Sequence, residues 1–176
     1  MGLGFEKLVY GGLTKVFAGI VIAPVGGIIF GLLITTLIIT VFASKRPGPV
    51  NKTFGKLQII SSAWFALTHG ANDGQKTMGI IVLILFSAGM IPELEMPLWV
   101  IFAAATAMGL GTFFGGYKVI KTLGFKITKL RPYQGFAAET AGGLMLAVFA
   151  VFGIPASTTH AITGTIMGAG AARRKR

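Results

Sequence analysis

The polar segment His69-Gly70-Ala71-Asn72-Asp73-Gly74-Gln75-Lys76-Thr77 lies inside an otherwise apolar stretch, residues 57–90. That stretch is longer than the about 20 residues a helix needs to cross a bilayer. Ionisable groups at bilayer depth are expensive, and those found there line substrate or ion pathways. A chain of this kind is therefore confined to a membrane fold with a polar interior. A transport site is the first hypothesis it raises.

Composition agrees, with 53% hydrophobic and 12% charged residues over 176 positions and a mean hydropathy of +0.78. Soluble domains of ordinary composition are less apolar. The absence of cysteine excludes disulfide frameworks, thiolate metal sites and cysteine nucleophiles. The 26 glycines suit close helix packing and interrupted membrane helices. A net charge of +11 raises the question of nucleic acid, but the basic residues stand in clusters between apolar spans rather than along one soluble face. Lys45, Arg46, Lys52 and Lys56 form one cluster, Lys118, Lys121, Lys126, Lys129 and Arg131 a second, and Arg173 to Arg176 a third. Loop 91–97 carries only Glu93 and Glu95. The positive-inside rule puts the three basic clusters in the cytoplasm and the glutamate loop outside. The expected location is the cell (plasma) membrane, crossed several times, with no nucleic-acid partner.

The predicted fold is an all-α integral membrane protein, one domain over residues 1–176. Residues 1–15 read as an external or interfacial entry segment without signal-peptide character. Spans are expected at 16–43, 57–90 and 98–116. The first contains Pro24, Gly26, Gly27 and Gly31, which predict a kinked or closely packed helix. The second has Gly70 and Gly74 available to interrupt it. Within 133–172, the apolar pieces 136–152 and 156–172 are joined by Gly153-Ile154-Pro155, and both outer flanks are basic. Charge parity alone leaves two tight full spans and a re-entrant hairpin equally open. The polar run Ser157-Thr158-Thr159-His160 at the turn favours the helical hairpin, because irregular backbone at depth is tolerated where it lines a cavity.

With Pro155 in the first turn of a new helix, Ser157, Thr158 and Thr159 would gather where unpaired N–H groups and the positive end of the dipole converge. Such an end binds oxyanions, and three hydroxyls add adjustable donors for a tetrahedral ligand. Plain helix capping by Ser or Thr explains the same pattern. In the other motif, His69, Asn72, Asp73, Lys76 and Ile80 follow helical three-and-four spacing, so that a polar face would look into the bundle. The alternative there is internal neutralisation of Asp73 by Lys76, or snorkelling of Lys76, with no ligand. An aspartate beside an anion site repels its ligand unless a cation or a proton intervenes. Carboxylate and amide oxygens from Asp73 and Asn72 suit a hard cation such as sodium. An anion cradle next to an acid thus predicts cation-coupled anion uptake, with no other cofactor. His69 and His160 read as packing residues that can carry a proton. Glu139 must be paired, hydrated or protonated, and an interfacial position explains it as well as a functional one.

The runs His69-Gly-Ala-Asn-Asp-Gly-Gln-Lys-Thr-Met-Gly79 and Pro155-Ala-Ser-Thr-Thr-His160 together resemble the duplicated signature of the PiT family of inorganic phosphate transporters, and specifically its bacterial carboxy-terminal copy. The resemblance implies an inverted-repeat transporter in which each half supplies one such helix and one such hairpin to a shared site. Residue by residue it implies phosphate contacts from Ser157, Thr158, Thr159 and Asp73, and cation coupling, by sodium or a proton, through Asn72 and Asp73. His69, Gln75, Lys76, Thr77, Glu139 and His160 would support them. Free phosphate, a metal–phosphate complex and arsenate stay open as cargo. Each motif occurs once here, so the chain reads as one repeat half, a truncated carboxy-terminal fragment. Its expected partners are phosphate, the lipid bilayer, the amino-terminal half and, for the whole transporter, a second copy. Two copies of opposed orientation would also rebuild a site, but the basic asymmetry fixes a single orientation.

Other classes fit less well. Ser157, His160 and Asp73 are the residue types of a hydrolytic triad, yet the Gly-x-Ser-x-Gly elbow is missing, and Ser and His three apart on one helix do not aim a base at a nucleophile. An anion channel would use similar polar helix ends. A structural subunit would need none of these groups. The chain is expected not to be an enzyme.

Overall fold

The computed structural model describes residues 10–122 and 130–172. Part of the entry segment, Lys126 and Lys129 of the second basic cluster, and the third cluster lie outside the described residues. Among the described residues there are five helices and no strand: α1 (Tyr10–Val41), α2 (Pro47–Ser87), α3 (Leu98–Thr122), α4 (Pro132–Val151) and α5 (Thr158–Ala171). Three contain segments long and apolar enough to cross a membrane, Leu13–Val41, Leu98–Tyr117 and Pro132–Val151. The fold is all-α and membrane-integral.

The helices divide between two compact units. One holds residues 10–65 and 130–172 of the described chain, and the other the remainder of α2 together with α3. In the first unit, α1 and α5 pack backbone to backbone. A Cβ at Gly27 would stand 2.7 Å from the Ala161 carbonyl oxygen, and one at Gly164 would stand 2.5 Å from that of Pro24. At Gly31 it would strike the Thr165 carbonyl, and at Gly168 that of Ile28. Two small-residue motifs at four-residue spacing, Gly27/Gly31 and Gly164/Gly168, thus face each other, the device by which membrane helices pack where lipid supplies no hydrophobic drive. Partner numbers rise together along both helices, so α1 and α5 run parallel. Pro24 sits within α1 without ending it, and of the two sequence expectations for this helix, close packing is the one the contacts express.

The arm α4 runs the opposite way. Met145, Leu146 and Phe149 near its end pack with Ala23 of α1 and with Ala156 and Ala161, while Tyr133 and Ala137 near its start join Ile38 and Phe54. The Phe54 ring meets Phe42 and Phe136 edge-on, with centroids 5.3 and 5.2 Å away. Gly153 ends α4 in the left-handed region, φ +59°, where the Ile154 N–H donates to the Phe149 carbonyl at 2.9 Å. This six-to-one closure satisfies the helix end without water. The link 154–157 then reaches α5. A Cβ at Gly19 would strike the Pro155 carbonyl, so the turn is level with Gly19, about 9 Å along the axis from Leu13.

The sequence reading is corrected at α2 and at Pro155. Gly70 and Gly74 do not interrupt α2, which is helical from Pro47 to Ser87. A glycine costs a helix only about 1 kcal/mol relative to alanine. Freeing a backbone pair in hydrocarbon costs several. Pro155 is not in the first turn of α5, which opens at Thr158 with Ser157 as its N-cap. The Ser157 hydroxyl supplies the N-cap acceptor, which a proline side chain lacks.

Candidate functional site

Ser157, Thr158, Thr159, His160 and Glu139 belong to the first unit. His69, Asn72, Asp73, Gln75, Lys76 and Thr77 belong to the second.

At the start of α5 the Ser157 hydroxyl accepts from the His160 N–H at 3.3 Å, and the Ser157 carbonyl accepts from Ala161 at 3.0 Å. The capping expected as one explanation of this motif is therefore present. Thr158 is buried, Ser157 half-buried, and Thr159 and His160 are exposed. One hydroxyl thus packs inward and the other two remain accessible at a helix N-terminus, where first-turn N–H groups point away from the helix body.

Glu139, midway along α4, is paired. Ser61 donates its hydroxyl to one carboxylate oxygen at 2.5 Å, and the Gln58 amide reaches the other at 3.4 Å. Ser61 is buried. Pairing, one of the expectations for Glu139, is present through two residues the sequence reading did not single out. Their three-residue spacing in an apolar stretch was the available signal. Gln134 was also passed over. It is buried, its amide oxygen accepts from the Arg131 N–H at 2.9 Å, and its NH2 donates to the Ala169 and Ala172 carbonyls at 2.9 and 3.2 Å. One side chain thereby closes the start of α4 and the end of α5.

In the second unit, the three-and-four spacing on α2 brings His69 and Lys76 to the same carboxylate. His69 Nε2 lies 2.9 Å from one Asp73 oxygen and Lys76 Nζ 3.1 Å from the other. Thr77 donates to the Asp73 carbonyl at 3.2 Å. Asn72 is buried, Asp73 half-buried and Gln75 exposed. The expected polar face is real, but it is not wholly interior: the side chains of His69 and Lys76 are 45% and 41% exposed. The internal neutralisation of Asp73 is present as geometry.

Three of the five helices carry apolar segments of membrane length, a capped break separates α4 from α5, and charged groups lie within α2; together these define an integral membrane protein. The chain belongs to the phosphate transporter family, whose sequence pattern it matches over residues 1–176. It is 46% identical over 172 residues to a probable low-affinity inorganic phosphate transporter of Rhizobium meliloti, covering 97% of this chain and 52% of that protein. Against the protein of the same description in Bacillus subtilis the identity is 39%, with the same coverage. A solved structure described as the sodium-dependent phosphate transporter matches with a TM-score of 0.76 at 23% identity, over 97% of this chain and 60% of that one. That likeness shows the fold. The chain spans about half the length of the curated relatives it matches. Family and relatives are named as transporters, and the hydrolase reading falls on that ground.

Proposed function

We propose that this chain is one half of a secondary carrier that moves inorganic phosphate across the plasma membrane, coupled to a sodium or proton gradient, with its basic loops in the cytoplasm. The observation that carries the reading is the start of α5, where Ser157, Thr158 and Thr159 bring hydroxyls to a helix N-terminus between two apolar arms. Such an end favours a tetrahedral anion. Asp73 and Asn72 would hold the coupling charge. Another repeat half would complete the site, and alternating access would come from one repeat moving against the other. The family's naming supports phosphate as cargo.

Labelled-phosphate uptake into liposomes tests this, with sodium and proton gradients imposed separately on the full-length transporter and on this 176-residue chain alone. Uptake is expected from the former under one gradient and none from the latter. Asp73→Asn, which keeps shape and removes charge, should lower uptake at least about 100-fold, the scale at which lost charge pairing costs about 3 kcal/mol. Normal gradient-driven uptake by Asp73→Asn would show the mechanism to be wrong. Ser157→Ala separates a cap from a ligand contact: a cap alone costs about 1 kcal/mol of stability and leaves phosphate affinity unchanged.

A further inference from the structure

The Asp73 carboxylate is already in use. Its two oxygens face His69 Nε2 at 2.9 Å and Lys76 Nζ at 3.1 Å. The surrounding backbone is in use as well, because α2 is unbroken from Pro47 to Ser87 and its carbonyls are committed to the helix ladder. Sodium sites in carriers draw on carbonyls that unwinding sets free, and a hard cation gathers several oxygens around itself. This segment offers one shared carboxylate, one buried amide, Asn72, and one exposed amide, Gln75, which sits two positions from Asp73 and so on a different side of the helix. Thr77, the nearest hydroxyl along the helix, is bonded to the Asp73 carbonyl at 3.2 Å. A sodium ion on the same carboxylate would also stand within a few ångströms of an ammonium group, and at that range like charges repel strongly even under partial screening. The residues of this segment therefore do not fit sodium as they stand.

We infer that Lys76 is a tethered cation that takes, on the Asp73 carboxylate, the place a coupling sodium ion would otherwise take. This rests on the carrier reading above and refines it: the charge that lets an aspartate coexist with a phosphate site is supplied at this motif by the protein itself. The helix enforces the arrangement, since residues three apart share a face, and no rearrangement of the backbone is needed to make it. Lys76 thereby becomes a specificity-determining residue for the coupling ion.

The test is equilibrium binding of labelled inorganic phosphate to the detergent-purified full-length transporter, in sodium chloride and in choline chloride, for the wild type, Lys76→Met and Lys76→Arg. Lys76→Met should bind phosphate at least about tenfold more weakly in choline, the scale of one lost charge–charge contact, with sodium restoring the loss. Lys76→Arg, which keeps the charge, should follow the wild type in both salts. Wild-type behaviour of Lys76→Met in both salts would overturn the inference. A loss that sodium does not restore would overturn it too, assigning Lys76 to the phosphate itself. A second arm uses no phosphate: sodium should raise the thermal unfolding midpoint of Lys76→Met by more than it raises the wild type's. Equal shifts would sink the inference even if phosphate bound nowhere, whereas phosphate failing to bind the wild type would count against the carrier reading alone.

Discussion

Glycine serves opposite ends in the two units. In the first, Gly27, Gly31, Gly164 and Gly168 are all pressed against backbone of the neighbouring helix. In the second, Gly109, Gly111, Gly115 and Gly116 of α3 have nothing described within 4 Å. The apolar segment of α4 is 56% buried and that of α3 only 11%. The first unit therefore carries its own packing, built on shape at the backbone. The second shows the surface of a helix meant for an apolar surrounding: Leu98, Trp99, Phe102, Phe113 and Phe114 are all more than half exposed. Glycine content alone does not distinguish a packed interface from an exposed helix face.

Substituting the glycines is the most direct way to break this contrast. Gly31→Val drives a side chain into the Thr165 backbone, which cannot rotate aside, so its cost should exceed the roughly 1–3 kcal/mol of ordinary overpacking. Gly111→Ala should change stability by less than about 1 kcal/mol, in the favourable direction, through helix propensity. Thermal unfolding in detergent reads both, and equal losses would erase the distinction between the units. Ser61→Ala comes next. It strips Glu139 of its closest donor and should cost about 1–3 kcal/mol, whereas Ser62→Ala, whose hydroxyl bonds only within its own helix at the Ile59 carbonyl, should cost nearly nothing. Gln134→Leu leaves the carbonyls of Ala169 and Ala172 without their donor, at about 1–2 kcal/mol. Its signature is faster amide exchange confined to the last turn of α5, and protection there equal to the wild type's would dismiss the clamp. The smallest effect is expected at Thr35, which is 0% exposed with its hydroxyl unpartnered among the described residues. Thr35→Val should be neutral or raise stability by up to about 1 kcal/mol, and a loss would reveal a partner for that hydroxyl.

Much of this was legible in the sequence. Hydropathy located the apolar segments of α1 and α3, while the span expected at 57–90 falls in α2, which is not among the three helices apolar enough to cross a membrane; Gly153-Ile154-Pro155 marked the turn between α4 and α5. Helical spacing placed His69, Asp73 and Lys76 on one face. What escaped was decided by geometry rather than by residue type. Gly70 and Gly74 were read as available to interrupt α2, but a glycine only permits a break, and the ladder on either side decides whether one occurs. Pro155 was placed in the first turn of a helix whose start is fixed by the hydroxyl of Ser157. Gln58 and Ser61 were not singled out, because their partner Glu139 lies far along the chain and their pairing depends on how α4 packs. Gly27 and Gly31 of α1 were read as close-packing residues, whereas Gly164 and Gly168 of α5 were not singled out. The mutual register of the two pairs was not visible, since it needs both helices side by side.

That register has a mechanical consequence. With backbones in contact every fourth residue, α5 cannot creep along α1 by a fraction of a turn, because the next Cβ would meet a carbonyl. The step that restores a glycine opposite a carbonyl is four residues, about 6 Å, and one-turn ratchets of that size belong to large switching transitions. Smaller movements leave α1, α4 and α5 travelling as a single lever, with the bending taken up where the chain leaves them. Their amide protons should exchange as one cooperative block, the α1 residues slowing and quickening together with those of the hairpin when phosphate is added or withdrawn. A hairpin whose exchange changes while α1 stays constant would mean that the lever has a joint.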